Sequence, residues 1–220
     1  MAVDKAKLQE VAIKGLKVLR SIAQSASKAC PALSIASSLI GVLLNFVDHD
    51  DSLEKLRKNF QEIHNGLNDL SEQADQVIRN IKKEKSDEQF GEVVDAIKQQ
   101  YEKYEEMINA PPEEMKSKAE EFKDVCNKTL GDQCLNTLYE SVMGKNKMAS
   151  DPILKVYKEY SGNDRDTMFQ LCDELLYLLC IGCVSVIAKA NLDGGNEERK
   201  WEENLHLACK EIEKALEGCK

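Results

Sequence analysis

Two uncharged, mostly apolar stretches lie near opposite ends of a chain in which 31% of the residues are charged. The first, ACPALSIASSLIGVLLNFV, covers nineteen residues from Ala29 to Val47, and the second, LLYLLCIGCVSVIA, covers fourteen from Leu175 to Ala188. Neither run has a charged residue to turn toward water. Each is therefore either the covered centre of a helical bundle or a segment able to enter a bilayer. Nineteen residues lie within the roughly 17–25 that a spanning helix needs, whereas fourteen favour a core helix. Ala32 and Ala36, Ser34 and Ser38, and Ser37 and Gly41 are small pairs four residues apart, which lets helices approach closely in lipid or in a tight bundle. Ser and Pro dilute the first run, and the reading preferred for it is a buried helix.

The segment between the runs is helical in pattern. Leu53, Leu56, Phe60, Ile63, Leu67, Leu70, Ala74, Val77 and Ile81 alternate steps of three and four, a narrow apolar seam spanning roughly 45 Å. Phe90, Val94, Ile97, Tyr101, Tyr104 and Ile108 repeat the device. After Pro111-Pro112 the seam resumes in phase with Met115, Ala119, Phe122 and Cys126, so a kink or short break is expected there. Leu135, Leu138, Tyr139 and Val142 mark a short helix, and Ile153, Leu154, Tyr157 and Tyr160 mark another. A long helix over 163–190 begins polar and becomes apolar. A last one carries Trp201, Leu205, Ala208, Ile212 and Ala215. No segment alternates with period two, so no strand is expected.

Charge is unevenly spread. The net charge is −9, which argues against nucleic acid as a partner. Residues 1–28 nevertheless carry +4, leaving −13 on the remainder. Leu8, Ala12, Gly15, Leu19, Ile22 and Ala26 form an apolar stripe there, flanked by Val11, Leu16 and Val18, with Lys7, Lys14, Lys17 and Lys28 on the opposite, solvated face. Such a helix suits a bundle or an anionic membrane surface. The start MAVDKAKLQEVAIKGLKVL lacks an apolar signal core, so a cytoplasmic, reducing compartment is expected and the eight cysteines are expected to be thiols.

The remaining motifs read more simply as structure than as chemistry. Cys180-Ile181-Gly182-Cys183 has the spacing of redox and metal motifs but lies inside an apolar helix, where burial would raise the thiol pKa. Zinc would need a second Cys/His pair of suitable spacing. Cys126 and Cys134 are placed to close a small loop only under oxidising conditions. Asp48-His49-Asp50-Asp51 suits helix capping better than a cation site. His64 and His206 are isolated, and no phosphate loop or nucleophile elbow occurs. No catalytic residue, cofactor or metal is expected.

Four blocks are distinctive as strings: VAIKGLKVLRSIAQSASKACPALSIASSLIGVLLNFVD, LNTLYESVMG, DPILKVYKEYSGNDRD and LLYLLCIGC. Taken together they resemble the rapunzel family of fish proteins over nearly the whole chain. The resemblance implies a role in fin and skeletal development and supplies no catalytic residue. In outline the pattern is also similar to α-helical pore-forming toxins, a likeness of architecture alone.

The sequence therefore predicts an all-α, elongated antiparallel multi-helix bundle with long coiled-coil-like helices, reminiscent of α-helical pore-forming toxin bundles. One domain of 1–220 is expected: a basic amphipathic helix and an apolar helix over 4–47, a long shaft over 52–126, and C-terminal helices over 132–220 that close the bundle. The 29–47 and 175–190 helices are expected to pack together with the N-terminal helix. The expected function is that of a non-catalytic protein acting through protein or membrane contacts, with insertion of 29–47 as the alternative. The residues expected to make the contacts are Lys14, Lys17, Leu33, Leu39, Ile40, Leu43, Leu44 and Phe46. The expected partners are an anionic membrane surface or a helical protein, with further copies of the chain also open.

Overall fold

A computed structural model of the chain describes residues 10, 11, 13, 14, 17, 20, 88–111, 113–145 and 151–220. The apolar run 29–47 and the expected shaft helix of 53–82 lie outside the described residues. Those described between Glu10 and Arg20 are helical, and six helices follow from Glu88. They are α1 (Glu88–Asn109), α2 (Met115–Lys128), α3 (Asp132–Val142), α4 (Ile153–Tyr160), α5 (Arg165–Leu192) and α6 (Glu198–Glu217). Among the described residues there is no strand, as the absence of period-two patterning predicts.

The apolar run of 175–188 explains the arrangement. Every residue from Glu174 to Ala188 is buried, and each of the other five helices touches α5. A helix apolar on all sides needs neighbours on all sides. Burying one large aliphatic side chain contributes about 1.5–3 kcal/mol, so this one helix organises the core. Asp164 starts it by accepting a hydrogen bond from the Thr167 N–H at 2.8 Å. Its polar side chains are accommodated locally: Ser185 Oγ donates to the Ile181 carbonyl at 3.0 Å. By length and composition α5 would cross a bilayer, with an 18-residue stretch of mean hydropathy 2.0, yet 94% of that stretch is buried inside the bundle. The helix runs from Arg165 to Leu192, close to the expected 163–190, and the fourteen-residue uncharged run lies within it.

The seams read from sequence become core. Val94, Ile97, Tyr101, Tyr104 and Ile108 of α1 are buried, as are Met115, Ala119, Phe122 and Cys126 of α2. A shaft running on through residue 126 does not form. α1 and α2 make an antiparallel hairpin. The Tyr104 ring meets Phe122 edge-on at 6.0 Å, Lys118 pairs with Glu106 at 3.2 Å, and Gln100 Nε2 donates to Thr129 Oγ1 at 2.8 Å. Positions rise along one helix as they fall along the other. Pro111-Pro112 removes two backbone donors in a row, which ends α1. The Glu114 N–H then bonds to the Pro111 carbonyl at 2.9 Å and opens the return.

The far end of the bundle is tied by backbone. Lys220 N–H donates to the Asn163 carbonyl at 3.0 Å, and Arg165 N–H donates to the Lys220 carbonyl at 3.2 Å. These two bonds fasten the end of α6 to the turn between α4 and α5.

Candidate functional site: the docked N-terminal helix

Lys14 connects the N-terminal helix to the elbow between α5 and α6. Its Nζ lies 2.8 Å from Glu10 Oε1 on its own helix, 2.7 Å from Asn191 Oδ1 near the end of α5, and 3.5 Å from Glu198 Oε1 in the first turn of α6. An ammonium has three donors, and three acceptors surround this one. Asn191 is itself buried and held in place, donating through Nδ2 to the Ile187 carbonyl at 2.8 Å and to Glu198 Oε1 at 3.1 Å. The elbow is braced from another side by Asp193, which pairs with Lys123 of α2 at 3.0 Å and Lys189 of α5 at 3.1 Å.

The Lys14 ammonium is held above the ordinary lysine range, first by its hydrogen bond with Glu10. Burial opposes this, and Glu198 reinforces it. Next to it, Val11 is 1% exposed and Ile13 packs against the core. Val11 contributes about 1.5–3 kcal/mol by burial. The partly exposed ion pairs add roughly 0–1 kcal/mol each.

Of the residues expected to make contacts, Lys17 is exposed, as the helical pattern predicts. Lys14 is half-buried and faces the bundle rather than solvent, a correction to the expected lysine face. The cause is the acceptor pair Asn191 and Glu198, which the local sequence around Lys14 cannot reveal. Leu33, Leu39, Ile40, Leu43, Leu44 and Phe46 lie outside the described residues.

A second polar contact went unread in the sequence. Lys98 Nζ of α1 lies 3.4 Å from Glu174 Oε1 of α5, and the Glu174 side chain is completely buried. Glu174 sits directly before the apolar run, where a charged residue reads as the solvated end of the helix. Opposite charges at helical spacing on separate elements leave no signal in sequence.

Seven cysteines fall in the described region, and all are buried. Burial pushes Cys126, Cys172 and Cys209 up to about 12, and Cys180 and Cys183 rise well above the ordinary thiol range for the same reason. A reactive thiolate requires the opposite shift. Gly182, within the same Cys-x-x-Cys segment, lies where Leu135 of α3 and Ile97 of α1 press against α5, so the segment is a packing surface. Among the described residues no group of three or more His, Cys, Asp or Glu is arranged to hold a metal ion.

Residues 48–220 match the family model of the cephalotoxin-like middle helical domain. Protein rapunzel of the zebrafish Danio rerio is 36% identical over 222 residues, which covers 99% of this chain and 96% of that protein. No solved structure matches the chain significantly. The helices among the described residues, the four sequence blocks and the relative agree: this chain belongs to the rapunzel family, and its residues 48–220 match the cephalotoxin-like middle helical domain.

Proposed function

We propose that this protein is a non-catalytic helical protein that works through contacts, with its basic N-terminal helix meeting an anionic membrane surface. The observation that carries this reading is the exposed Lys17 on the same helix as a Lys14 already paired with Glu10 of that helix and Glu198 of the bundle. The helix is thus seated at the periphery with basic charge directed outward, in a chain whose net charge is otherwise negative. Non-catalytic action agrees with the buried thiols, whose raised pKa values suppress nucleophilic chemistry. Thiols of this kind suit a reducing, cytoplasmic setting. A contact role of this type would serve the fin and skeletal development that the family resemblance implies.

The second reading is membrane insertion or pore formation through 29–47. It is favoured by α5, a helix of spanning length and composition stored inside a bundle, and by the cephalotoxin-like description of the matching family model. Vesicles of phosphatidylcholine, with and without phosphatidylserine, separate the two readings. Surface contact predicts co-sedimentation with the anionic vesicles alone, weakened by salt, without release of an entrapped dye. Insertion predicts dye release that Ile40→Asp abolishes. Absence of binding to either vesicle would refute the membrane surface as the partner and favour a helical protein instead.

A further inference from the structure

The seat of the N-terminal helix has two sides. On the bundle side, Asn191 is fixed by Ile187 and Glu198, and Asp193 is fixed by Lys123 and Lys189. On the helix side, Lys14 makes a polar attachment to the bundle. The same helix carries Lys17, exposed, and Arg20, half-buried, at successive steps of three residues. While docked, Lys14 spends its charge on Glu10 and Glu198. Released, it keeps Glu10 on its own helix but gives up Asn191 and Glu198, and its ammonium becomes accessible on the same helix as Lys17 and Arg20. Carboxylates and lipid phosphates compete for an ammonium by the same chemistry, so an anionic bilayer is a direct competitor of Glu198.

We propose that the contact of Lys14 with Asn191 and Glu198 is an autoinhibitory latch that holds the N-terminal helix on the elbow between α5 and α6 and withholds Lys14 from anionic lipid headgroups. This rests on the membrane-contact reading above. The latch opens when lipid phosphate takes over Lys14, and Val11 then leaves the core with the helix. Binding and release are thus coupled, and the surface that favours the free helix is the one that draws it off.

The test uses the full chain and three variants. Glu198→Lys sets two ammonium groups against each other at the latch. Glu203→Lys makes the same change of charge at an exposed site on α6, where Glu203 pairs with Arg199 at 3.1 Å. The charge-swapped variant Lys14→Glu, Glu198→Lys, made together with Glu10→Gln so that no like charge faces position 14, restores the pair across the latch with its signs exchanged. Hydrogen–deuterium exchange over 10–20 is expected to rise at least about ten-fold in E198K, to stay unchanged in E203K, and to return toward the parent rate in the charge-swapped variant. Co-sedimentation with phosphatidylserine vesicles is expected to be about ten-fold tighter for E198K than for E203K. Equal exchange over 10–20 in E198K and E203K would overturn the latch. Faster exchange in E198K with equal vesicle binding would overturn its role in withholding the helix from lipid. Loss of binding in every form, including the parent chain, would defeat the membrane reading itself, and the exchange data would then report a docking contact alone.

Discussion

Gly182 of α5 lies directly beneath Leu135 of α3: a Cβ built on the glycine would stand 2.7 Å from Leu135 Cδ1 and 3.4 Å from Ile97 Cγ2 of α1. Three helices meet at that point, and the missing side chain sets how closely they pack. Leu135 and Ile97 are both fully buried, so neither has free space to retreat into. Gly182→Val is expected to destabilise the fold by about 1–3 kcal/mol through overpacking. Urea unfolding followed by circular dichroism measures it, and an unchanged midpoint would contradict the close crossing.

Tyr157 of α4 carries a hydroxyl that is buried without a hydrogen-bond partner among the described residues. Burial, then the neighbouring Cys172 and Glu174, push its ionisation above the ordinary tyrosine range. A desolvated hydroxyl with no partner opposes folding, while its ring fills the core. Tyr157→Phe keeps the ring and is expected to stabilise the protein by about 1 kcal/mol. A loss of stability in urea would show that the hydroxyl is satisfied.

Glu105 of α1 is raised from 4.5 to about 7, first by burial and then by Glu102. The folded state therefore holds the proton more tightly than the unfolded chain does. The group's influence is nil below about 4.5, where both states are protonated. Its opposition to folding grows as pH rises through that value and levels off above about 7. Glu105→Gln should match the parent chain in stability near the lower value. Near the upper one it should exceed the parent by on the order of 1 kcal/mol, a figure already reduced for the partial exposure of the side chain. Thermal melts across that interval check the sign. A Glu105→Gln advantage that shrinks with rising pH would contradict it.

Leu130, just past the Thr129 cap of α2, has a φ of +60° and is 64% exposed. The left-handed region costs a branched residue roughly 1–2 kcal/mol, and so little of Leu130 is buried that packing offsets little of it. Leu130→Gly is expected to raise stability by about 0.5–1 kcal/mol, after allowing for the greater freedom of glycine in the unfolded chain. Calorimetry measures it, and a lowered melting temperature would show that Leu130 makes contacts the exposed position does not suggest.

Periodicity reported which residues enter the core far better than it reported the path of the chain. Val94, Ile97, Tyr101 and Tyr104, with Met115, Ala119, Phe122 and Cys126, were readable as one seam because each helix buries a single stripe. The seam kept its phase across Pro111-Pro112, and phase carries no information about direction. A continuing helix and a hairpin satisfy the same spacing, and contacts between the helices, such as Tyr104 with Phe122, separate them. The buried fate of 175–188 was legible because an uncharged helix has few other options. Lys14 was misread for the opposite reason. Its acceptor Asn191 lies 177 residues away, and a lysine within a basic face looks solvated until its partner is known. Glu174 escaped notice in the same way, since Lys98 reaches it from a separate helix.

The central claim is that the exposed basic face of the N-terminal helix is the contact surface, and Lys17 tests it most directly. Lys17 is exposed, so Lys17→Glu should leave the melting temperature unchanged. Each basic side chain near an anionic surface contributes about 1 kcal/mol, so reversal of this one should weaken binding to phosphatidylserine vesicles by roughly ten-fold or more. Equal binding of the parent chain and Lys17→Glu, measured by co-sedimentation at low salt, would contradict the account.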